Sequence, residues 1–469
     1  MSSYTHTIDG KAAAGAKTFG VIDPSTGEVF ERAPEATREQ LDQAVEAARR
    51  AFPAWSATPV AERRRRLLAA ADAIESQAER IGRVLTREQG KPLAMAIGEA
   101  HGTVGWLRAT AAIDLPVEIA QDDAFVRAEI HRRPLGVVAA ITPWNFPVVM
   151  AAWKIAPALV TGNTIVLKPS PYTPLSTLLL GEILREVFPA GVLNVLSGGD
   201  ELGRWMTAHP GFAKIGFTGS VDTGKAIMAA AAPDLKRITL ELGGNDAGIV
   251  LPDADVAAIA PKLFEAAFVN SGQACTALKR LYVHDSIHDE MCARLVEIGR
   301  AKKVGPGTES DVDLGPLNNE MQFRRVTELV EDAKRNGARI LLGGEPMKRP
   351  GYFYPVTLVA DVTDGMRLVD EEQFGPVMPI LRFSDVDDAI ERANALKYGL
   401  GGSVWTRDTE RGVSLASRLE CGTAWVNQHL QVGPHLPFGG MKWSGLGREN
   451  GVCGLEAYTE IQVRNIAKV

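Results

Sequence analysis

The spacing of apolar positions changes part-way along the chain. Behind Thr37 and Gln40, which form a capping-box pattern, LDQAVEAARRAF repeats apolar residues at helical spacing. VAERRRRLLAAADAIESQAERIGRVL continues in the same period, and its run of arginines reads as the solvated face of an amphipathic helix rather than a phosphate patch. The N-terminal third is therefore expected to be mainly helical. From about residue 124 the period shortens, and the alternating, β-branched run FVRAEIHRRPLGVVAAI predicts strands. Strand-like and helix-like segments then follow in turn: TIVLK, TPLSTLLLGEILREVF, VLNVLSG, LGRWMTAHP, KIGFTG and a helix from about Asp222. After ITLELGG the cycle resumes with DVAAIAPKLFEAAF, KRLYVHD, SIHDEMCARLVEIGRA and the long helical run QFRRVTELVEDAKRNG. Such alternation predicts an α/β protein with parallel sheets and crossover helices, built as two units with a boundary near Gly243–Gly244.

One uncharged stretch bears on the class of protein. Leu135 to Trp153 approaches the roughly 18–20 residues needed to cross a bilayer. Pro143, Asn145 and Pro147 lie at its centre, where a membrane helix would lose hydrogen bonds and bury an amide. A buried strand (GVVAAIT), a polar turn and an apolar helix is the better reading. The 469 residues suggest two or three domains at about 100–200 residues each. Lys+Arg 51 against Asp+Glu 57 gives a net charge of -6, which lacks the basic signature of a nucleic-acid binder. Cys275, Cys292, Cys421 and Cys453 lie far apart, with no CxxC pair and no histidine spacing suited to zinc. No metal is expected, and free thiols in a reducing compartment are. The first twenty residues show no secretory signal, so a cytoplasmic location is expected.

Several segments carry candidate chemistry. In KIGFTGSVDTGKAIM, Gly219 and Gly224 bracket a turn between a strand and a helix, where backbone could approach a phosphate; a plain strand–helix turn fits equally well. Lys168 ends the strand in TGNTIVLKPS, at the sheet edge where ligands of open α/β sheets collect. Glu241 ends another strand before two glycines in ELGGND. Cys275 lies in NSGQACTALKR, where Gly272, Gln273 and Ala274 describe an accessible turn. A lone cysteine is usually a small buried hydrophobe, but a thiol with a carboxylate base would support covalent catalysis through a thioester. No His or Ser is arranged for a protease triad, which leaves Glu as the base.

TPWNFP, GNTIVLKPS, FTGS, LELGGN, GQAC, EEQFGPV and PFGGMKWSGLGRE follow one another across nearly the whole chain. In this order the sequence closely resembles the aldehyde dehydrogenase superfamily, in its NAD(P)-dependent, hydrolytic branch. The resemblance implies an aldehyde dehydrogenase-like fold. A Rossmann-type cofactor domain would span 1–116 and 135–242, an α/β catalytic domain 243–440, and a small β-structured oligomerisation element 117–134 and 441–469. It further implies a homodimer or homotetramer that oxidises a small-molecule aldehyde, with no nucleic-acid or membrane partner.

Residue by residue, Cys275 matches the nucleophile and would act as a free thiolate. Asn145, with the Cys275 backbone N–H, matches the oxyanion donors, and Glu241 the general base. Thr142, Pro143, Trp144, Lys168, Ser170, Gly219, Ser220, Gly224, Leu242, Glu372 and Phe374 match cofactor contacts. Phe146, Met150, Trp153, Val432 and Phe438 match the substrate tunnel. Gly219, Gly224, Gly243, Gly244 and Gly272 are expected where backbone approaches cofactor or thiol. Enzymes of the family that prefer NAD often carry Glu three residues after the ribose lysine; here that position is Pro171, so NAD is expected with NADP possible. The tunnel residues favour an apolar or aromatic aldehyde. The loop NQHLQVGPHLPF has no Arg or Lys for a semialdehyde carboxylate, and its His429 and His435 read as polar wall residues. CoA-acylating relatives generally lack the base glutamate, so Glu241 argues for hydrolysis. Recruitment as a structural protein is disfavoured because Cys275, Glu241 and Asn145 are all retained.

Overall fold

Strand Val137–Ile141 lies at the middle of the first of two large sheets in a computed structural model that describes residues 3–468. Thr164–Lys168 and Leu193–Val195 add on one side, and Lys214–Thr218 and Arg237–Glu241 on the other, all parallel. The strands Val137–Ile141, Thr164–Lys168 and Lys214–Thr218 are buried at every position, which is why they read as continuous apolar runs rather than alternating ones. The chain builds outward on one side of Val137–Ile141 and then crosses to the other. That reversal is a topological switch point, and it opens a crevice at the carboxyl ends of Val137–Ile141 and Lys214–Thr218.

The second sheet begins at Asp246, five residues after Glu241 closes its strand, so the sheets change over at Gly243–Gly244. Its seven strands run in the order Arg339–Leu342, Thr357–Ala360, Val377–Phe383, Leu278–His284, Asp246–Val250, Gly401–Trp405 and Thr423–Val426. All neighbours are parallel except the edge pair Arg339–Leu342 and Thr357–Ala360. Glu241 thus sits at a carboxyl end of the first sheet, while Cys275 lies just ahead of an amino end of the second.

A third sheet pairs Glu118–Asp122, Val126–Pro134 and Thr459–Ala467, with Thr459 opposite Pro134 and Ala467 opposite Val126. It leaves Ile119, Phe125, Ile461, Val463 and Ile466 exposed. The C-terminal segment from 441 does not enter this sheet as one piece. Gly445–Leu446 pairs with Arg237–Glu241 in the first sheet and Gly451–Glu456 is helical, so only the last strand joins the third.

Helices Arg38–Ala57, Val60–Glu75, Ala78–Gln89 and Leu93–Ala112 occupy most of the N-terminal region. Thr37 and Gln40 make the reciprocal capping box: the Thr37 hydroxyl accepts from Gln40 N–H and the Gln40 side chain accepts from Thr37 N–H. Two departures from the pattern are local. Short strands His6–Ile8, Lys11–Ala13, Lys17–Asp23 and Glu28–Glu35 precede the helices; the first two are three residues each, too short to show a period. Within the arginine run, Arg63 turns inward and donates to the carbonyls of Val160, Ser56 and Thr58, satisfying orphan acceptors at helix C-termini instead of facing solvent. The uncharged stretch resolves into strand Val137–Ile141, a turn, and helix Pro147–Val160 with proline at its first position. Among the described residues no helix is long and apolar enough to cross a membrane. Thr37→Ala removes the capping acceptor and is expected to lower stability by about 1 kcal/mol, read from urea unfolding followed by circular dichroism.

Candidate active site

Helix Val256–Phe268 ends in a turn that no regular structure would give. Asn270, Ser271 and Gly272 take φ of 50°, 57° and 72°, and the chain passes through Cys275 into strand Leu278–His284. Neighbouring loops touch this turn at backbone distance. A Cβ on Gly272 would lie 2.1 Å from the Gly375 carbonyl, and one on Gly244 would lie 2.6 Å from that of Cys275. A Cβ on Gly243 would lie 2.3 Å from the Glu372 carboxylate, which accepts from Gly244 N–H at 3.1 Å. Lys279 fastens the arrangement: its ammonium donates to the Ala274 and Cys275 carbonyls, each at 2.7 Å, and lies 3.5 Å from Glu372. Phe374, also at positive φ (50°), sets its ring edge-on to Trp144 at 5.2 Å.

Asn145 reaches the same turn from the other side. Its side-chain amide donates to the Gln273 carbonyl at 3.1 Å, two residues from Cys275. Its own carbonyl accepts from Asn270 Nδ2 at 3.1 Å and from Lys91 Nζ at 2.8 Å. Lys91 pairs with Glu99 at 2.6 Å, and both side chains are essentially sealed from solvent, 0% and 2% exposed. The other Glu99 oxygen accepts from Val148 and Val149 N–H, at the positive end of helix Pro147–Val160. This buried pair therefore holds the backbone on both sides of Phe146. The Phe146 ring lies under the Lys91 ammonium, 3.9 Å from its centroid, apart from the other expected tunnel residues.

The electrostatics differ from a resting thiolate. Burial pushes the Cys275 thiol up to about 12; Lys279 opposes that shift, and Glu372, Asp246 and Glu241 add to it. A charge on the thiol would be poorly solvated among carboxylates, which disfavours the thiolate. Glu241 is buried and neither carboxyl oxygen has a protein partner. Burial, reinforced by the charge of Glu449, holds its pKa well above the usual carboxylate range, with Lys154 and Arg448 opposing. Lys154 donates to Thr218 Oγ1 at 2.8 Å and pairs with Glu449. A buried acceptor left without a donor requires a partner from outside the chain, and water or substrate suits it.

The crevice at the switch point collects further unsatisfied groups. Thr142 N–H donates to the Lys168 carbonyl at 3.0 Å, while the buried Thr142 hydroxyl has no protein partner. The Lys168 ammonium is buried with one protein acceptor, the Pro169 carbonyl at 3.1 Å, and burial lowers its pKa to about 8 against the opposing pull of Asp200. Ser170 lies beside it, its hydroxyl accepting from Tyr172 N–H at 3.3 Å. Ser220 caps helix Val221–Ala231 by accepting from Thr223 N–H. A half-satisfied ammonium, a free hydroxyl and a helix N-terminus fit the hydroxyls and phosphates of a dinucleotide. Gly219 and Gly224 are also hemmed in by the protein's own side chains. A Cβ on Gly219 would meet the Phe217 ring at 2.4 Å, and one on Gly224 would meet the Leu242 side chain at 2.6 Å. These glycines make room for the protein's own side chains.

Against the thiol lies an apolar wall. Buried Trp153, Leu400 and Phe438 cluster with Trp106, Val149, Met150, Val432 and Cys275. Trp106 stacks on Trp153 (5.5 Å, 26°), and Phe438 meets Trp153 edge-on at 5.2 Å. Met150, Trp153, Val432 and Phe438 thus share one cluster with Cys275, and Phe146 does not join them.

Residues 11–463 match the model of the aldehyde dehydrogenase family. The chain belongs to that family. It is 41% identical over 459 residues to phenylacetaldehyde dehydrogenase of Pseudomonas fluorescens, covering 94% of this chain and 91% of that one. It is 40% identical over 460 residues to human retinaldehyde dehydrogenase 3, covering 96% and 90%. The NAD+ complex of an aldehyde dehydrogenase from Bacillus cereus superposes with a TM-score of 0.97 at 37% identity, covering 99% of this chain and 96% of that one.

In this aldehyde dehydrogenase, an oxidoreductase acting on aldehydes, several site residues carry no motif. Trp106 and Leu400 reach the pocket from segments remote in sequence, and Lys279 looks like any cation at a strand start. Glu99 offered one signal, a lone carboxylate in the apolar helix LAMAIGEAHGTVGWL, which can be buried only if paired. Gly272→Ala should both overpack the thiol turn and strain its backbone, costing roughly 1–3 kcal/mol. Lower thermal stability with reduced aldehyde turnover is the expected result; a variant unchanged in both would show the turn to be more yielding than its contacts imply.

Proposed function

We propose that this aldehyde dehydrogenase oxidises an apolar or aromatic aldehyde to its carboxylic acid through a thioester on Cys275. The carrying observation is the cluster that joins Cys275 to Trp153, Phe438, Met150 and Val432. The phenylacetaldehyde and retinaldehyde dehydrogenases among its relatives support the substrate class. The NAD+ complex of its structural relative supports NAD as the cofactor, with NADP admissible because Pro171 offers no carboxylate against a 2′-phosphate.

Cys275 adds to the aldehyde carbon, and its proton must leave as the bond forms. Glu241 is the acceptor whose raised pKa and free oxygens suit that transfer. Asn145 Nδ2 and the Cys275 N–H donate to the developing alkoxide; one such donor is typically worth about 3–4 kcal/mol. When bound, NAD supplies the hydride acceptor. Lys168, Ser170, Thr142 and Ser220 would hold its adenosine and phosphate side, with Gly219, Gly224 and Leu242 shaping the turn. Pro143, Trp144, Glu372 and Phe374 would hold the nicotinamide side. Once it has released the thiol proton to bulk water, Glu241 takes a proton from the water that hydrolyses the thioester. A base kept for this step argues against transfer to CoA.

The exposed apolar residues of the third sheet, Phe125 at 78% among them, support association of copies as a homodimer or homotetramer. Unbridged cysteines support a cytoplasmic location.

Cys275→Ala should abolish aldehyde-dependent NAD reduction while NAD still binds; residual turnover would overturn the nucleophile. Glu241→Gln should slow both the first-turnover formation of reduced cofactor and the steady state, and undiminished turnover in either phase would assign the base elsewhere. The Glu449 charge raises the Glu241 pKa, and Glu449→Gln also frees the Lys154 ammonium that lowers it. Both effects have one sign, so the ascending limb of the pH–rate profile should move to lower pH.

A further inference from the structure

A buried polar chain links the loop that carries Val432 to the thiol turn. His429 is 6% exposed, and its Nε2 lies 3.0 Å from the Thr276 carbonyl, one residue beyond Cys275. A carbonyl only accepts, so Nε2 carries the imidazole proton and donates. Nδ1 of the neutral ring is then an acceptor, and Ser403 Oγ at 2.9 Å donates to it. Trp405 Nε1, a donor only, completes the chain by donating to Ser403 Oγ at 2.9 Å. Each link thus has one direction, running from the core of the second sheet through His429 to the nucleophile's neighbour. Burial holds the ring neutral, lowering its pKa to about 3, and the charged groups facing it are Lys279 and Asp246. Asp246 Oδ2 is 3.7 Å from Nε2, outside hydrogen-bond reach.

The same loop is pinned on either side of His429. Asn427 Oδ1 accepts from Thr406 N–H at 2.9 Å, and the Gln431 carbonyl accepts from Trp425 Nε1 at 3.0 Å. Trp425 also lies against the His429 ring, centroids 4.6 Å apart. Asn427 and Leu430 stand at positive φ (55° and 66°), a course that needs such anchors to persist. Immediately after the last anchor comes Val432, in the apolar cluster with Cys275. His429 alone of these anchors contacts the nucleophile's turn.

We propose that His429 is a positioning residue for aldehyde selectivity: its Nε2–H bond to Thr276 fixes the Val432 wall of the pocket relative to the Cys275 thiol. This inference rests on the aldehyde-oxidising reading of the same pocket. A wall held at set distance from the thiol matters for an aldehyde that fills the pocket and little for one that does not.

The test compares benzaldehyde with acetaldehyde in steady-state kinetics on the full chain. His429→Leu keeps an apolar bulk but loses both hydrogen bonds; His429→Gln retains a donor that can reach Thr276. The expected result for His429→Leu is a KM for benzaldehyde raised about tenfold, with kcat for acetaldehyde held within about twofold. His429→Gln should restore part of the benzaldehyde KM. Should His429→Leu not fold, Ser403→Ala, which removes the donor to Nδ1, should shift the ratio of the two KM values in the same direction to a smaller extent. A ratio unchanged in every folded variant, with activity intact or lowered equally for both aldehydes, overturns the inference and leaves the functional reading standing. An unmodified chain inactive on both aldehydes overturns both.

Discussion

Backbone-to-backbone contact around Cys275 is the constraint on which the site depends. Gly243 and Gly244 leave the first sheet, Gly272 opens the thiol turn, and Gly375 follows Phe374; each packs where one methyl group would not fit. Close approach brings the loops of the two sheets together around the thiol turn. Glu241 comes from the carboxyl edge of one sheet, Cys275 from the amino edge of the other, and Glu372 from a third loop. Lys279 makes the crowding tolerable, since it binds the carbonyls that the turn leaves over and faces the carboxylate that would otherwise be unpaired.

The same closeness bears on the charge state. Burial pushes the Cys275 thiol upward, which favours attack coupled to proton removal over attack by a standing thiolate. The carboxyl meant to receive that proton is itself pushed upward by burial and by Glu449. Matching two weakly acidic groups brings donor and acceptor closer in proton affinity than a solvated pair would be. The buried Lys91–Glu99 pair serves the geometry rather than the proton: it fixes the main chain of Asn145 and the first turn of the following helix, so the amide that meets the developing oxyanion has little freedom.

Much of this was legible in the sequence where the signal is local. The capping box at Thr37, the continuous apolar strands, and the strand-end positions of Lys168 and Glu241 follow from spacing alone. The tunnel residues Met150, Trp153, Val432 and Phe438 followed from resemblance. What stayed hidden depends on partners distant in sequence. Arg63 reads as solvated until helix C-termini are placed beside it, and His429 reads as a wall residue until Ser403 and Thr276 occupy both its nitrogens. Gly219 and Gly224 suggested open backbone; Gly219 lies against the ring of Phe217 two residues before it, and Gly224 against Leu242, which only the pairing of the two strands brings near. Phe146 followed from the same resemblance; its ring lies under the Lys91 ammonium and outside the apolar cluster around Cys275.

The burial that disfavours a Cys275 thiolate has a consequence beyond turnover. Peroxides and electrophiles attack thiolates, so a nucleophile whose thiolate is disfavoured is less open to sulfenic and higher oxidation while no aldehyde is present. Cys453 is the exposed cysteine of this chain, and Cys292 and Cys421 are buried. Of the four, the exposed Cys453, outside the pocket, is the thiol an oxidant in solution meets first.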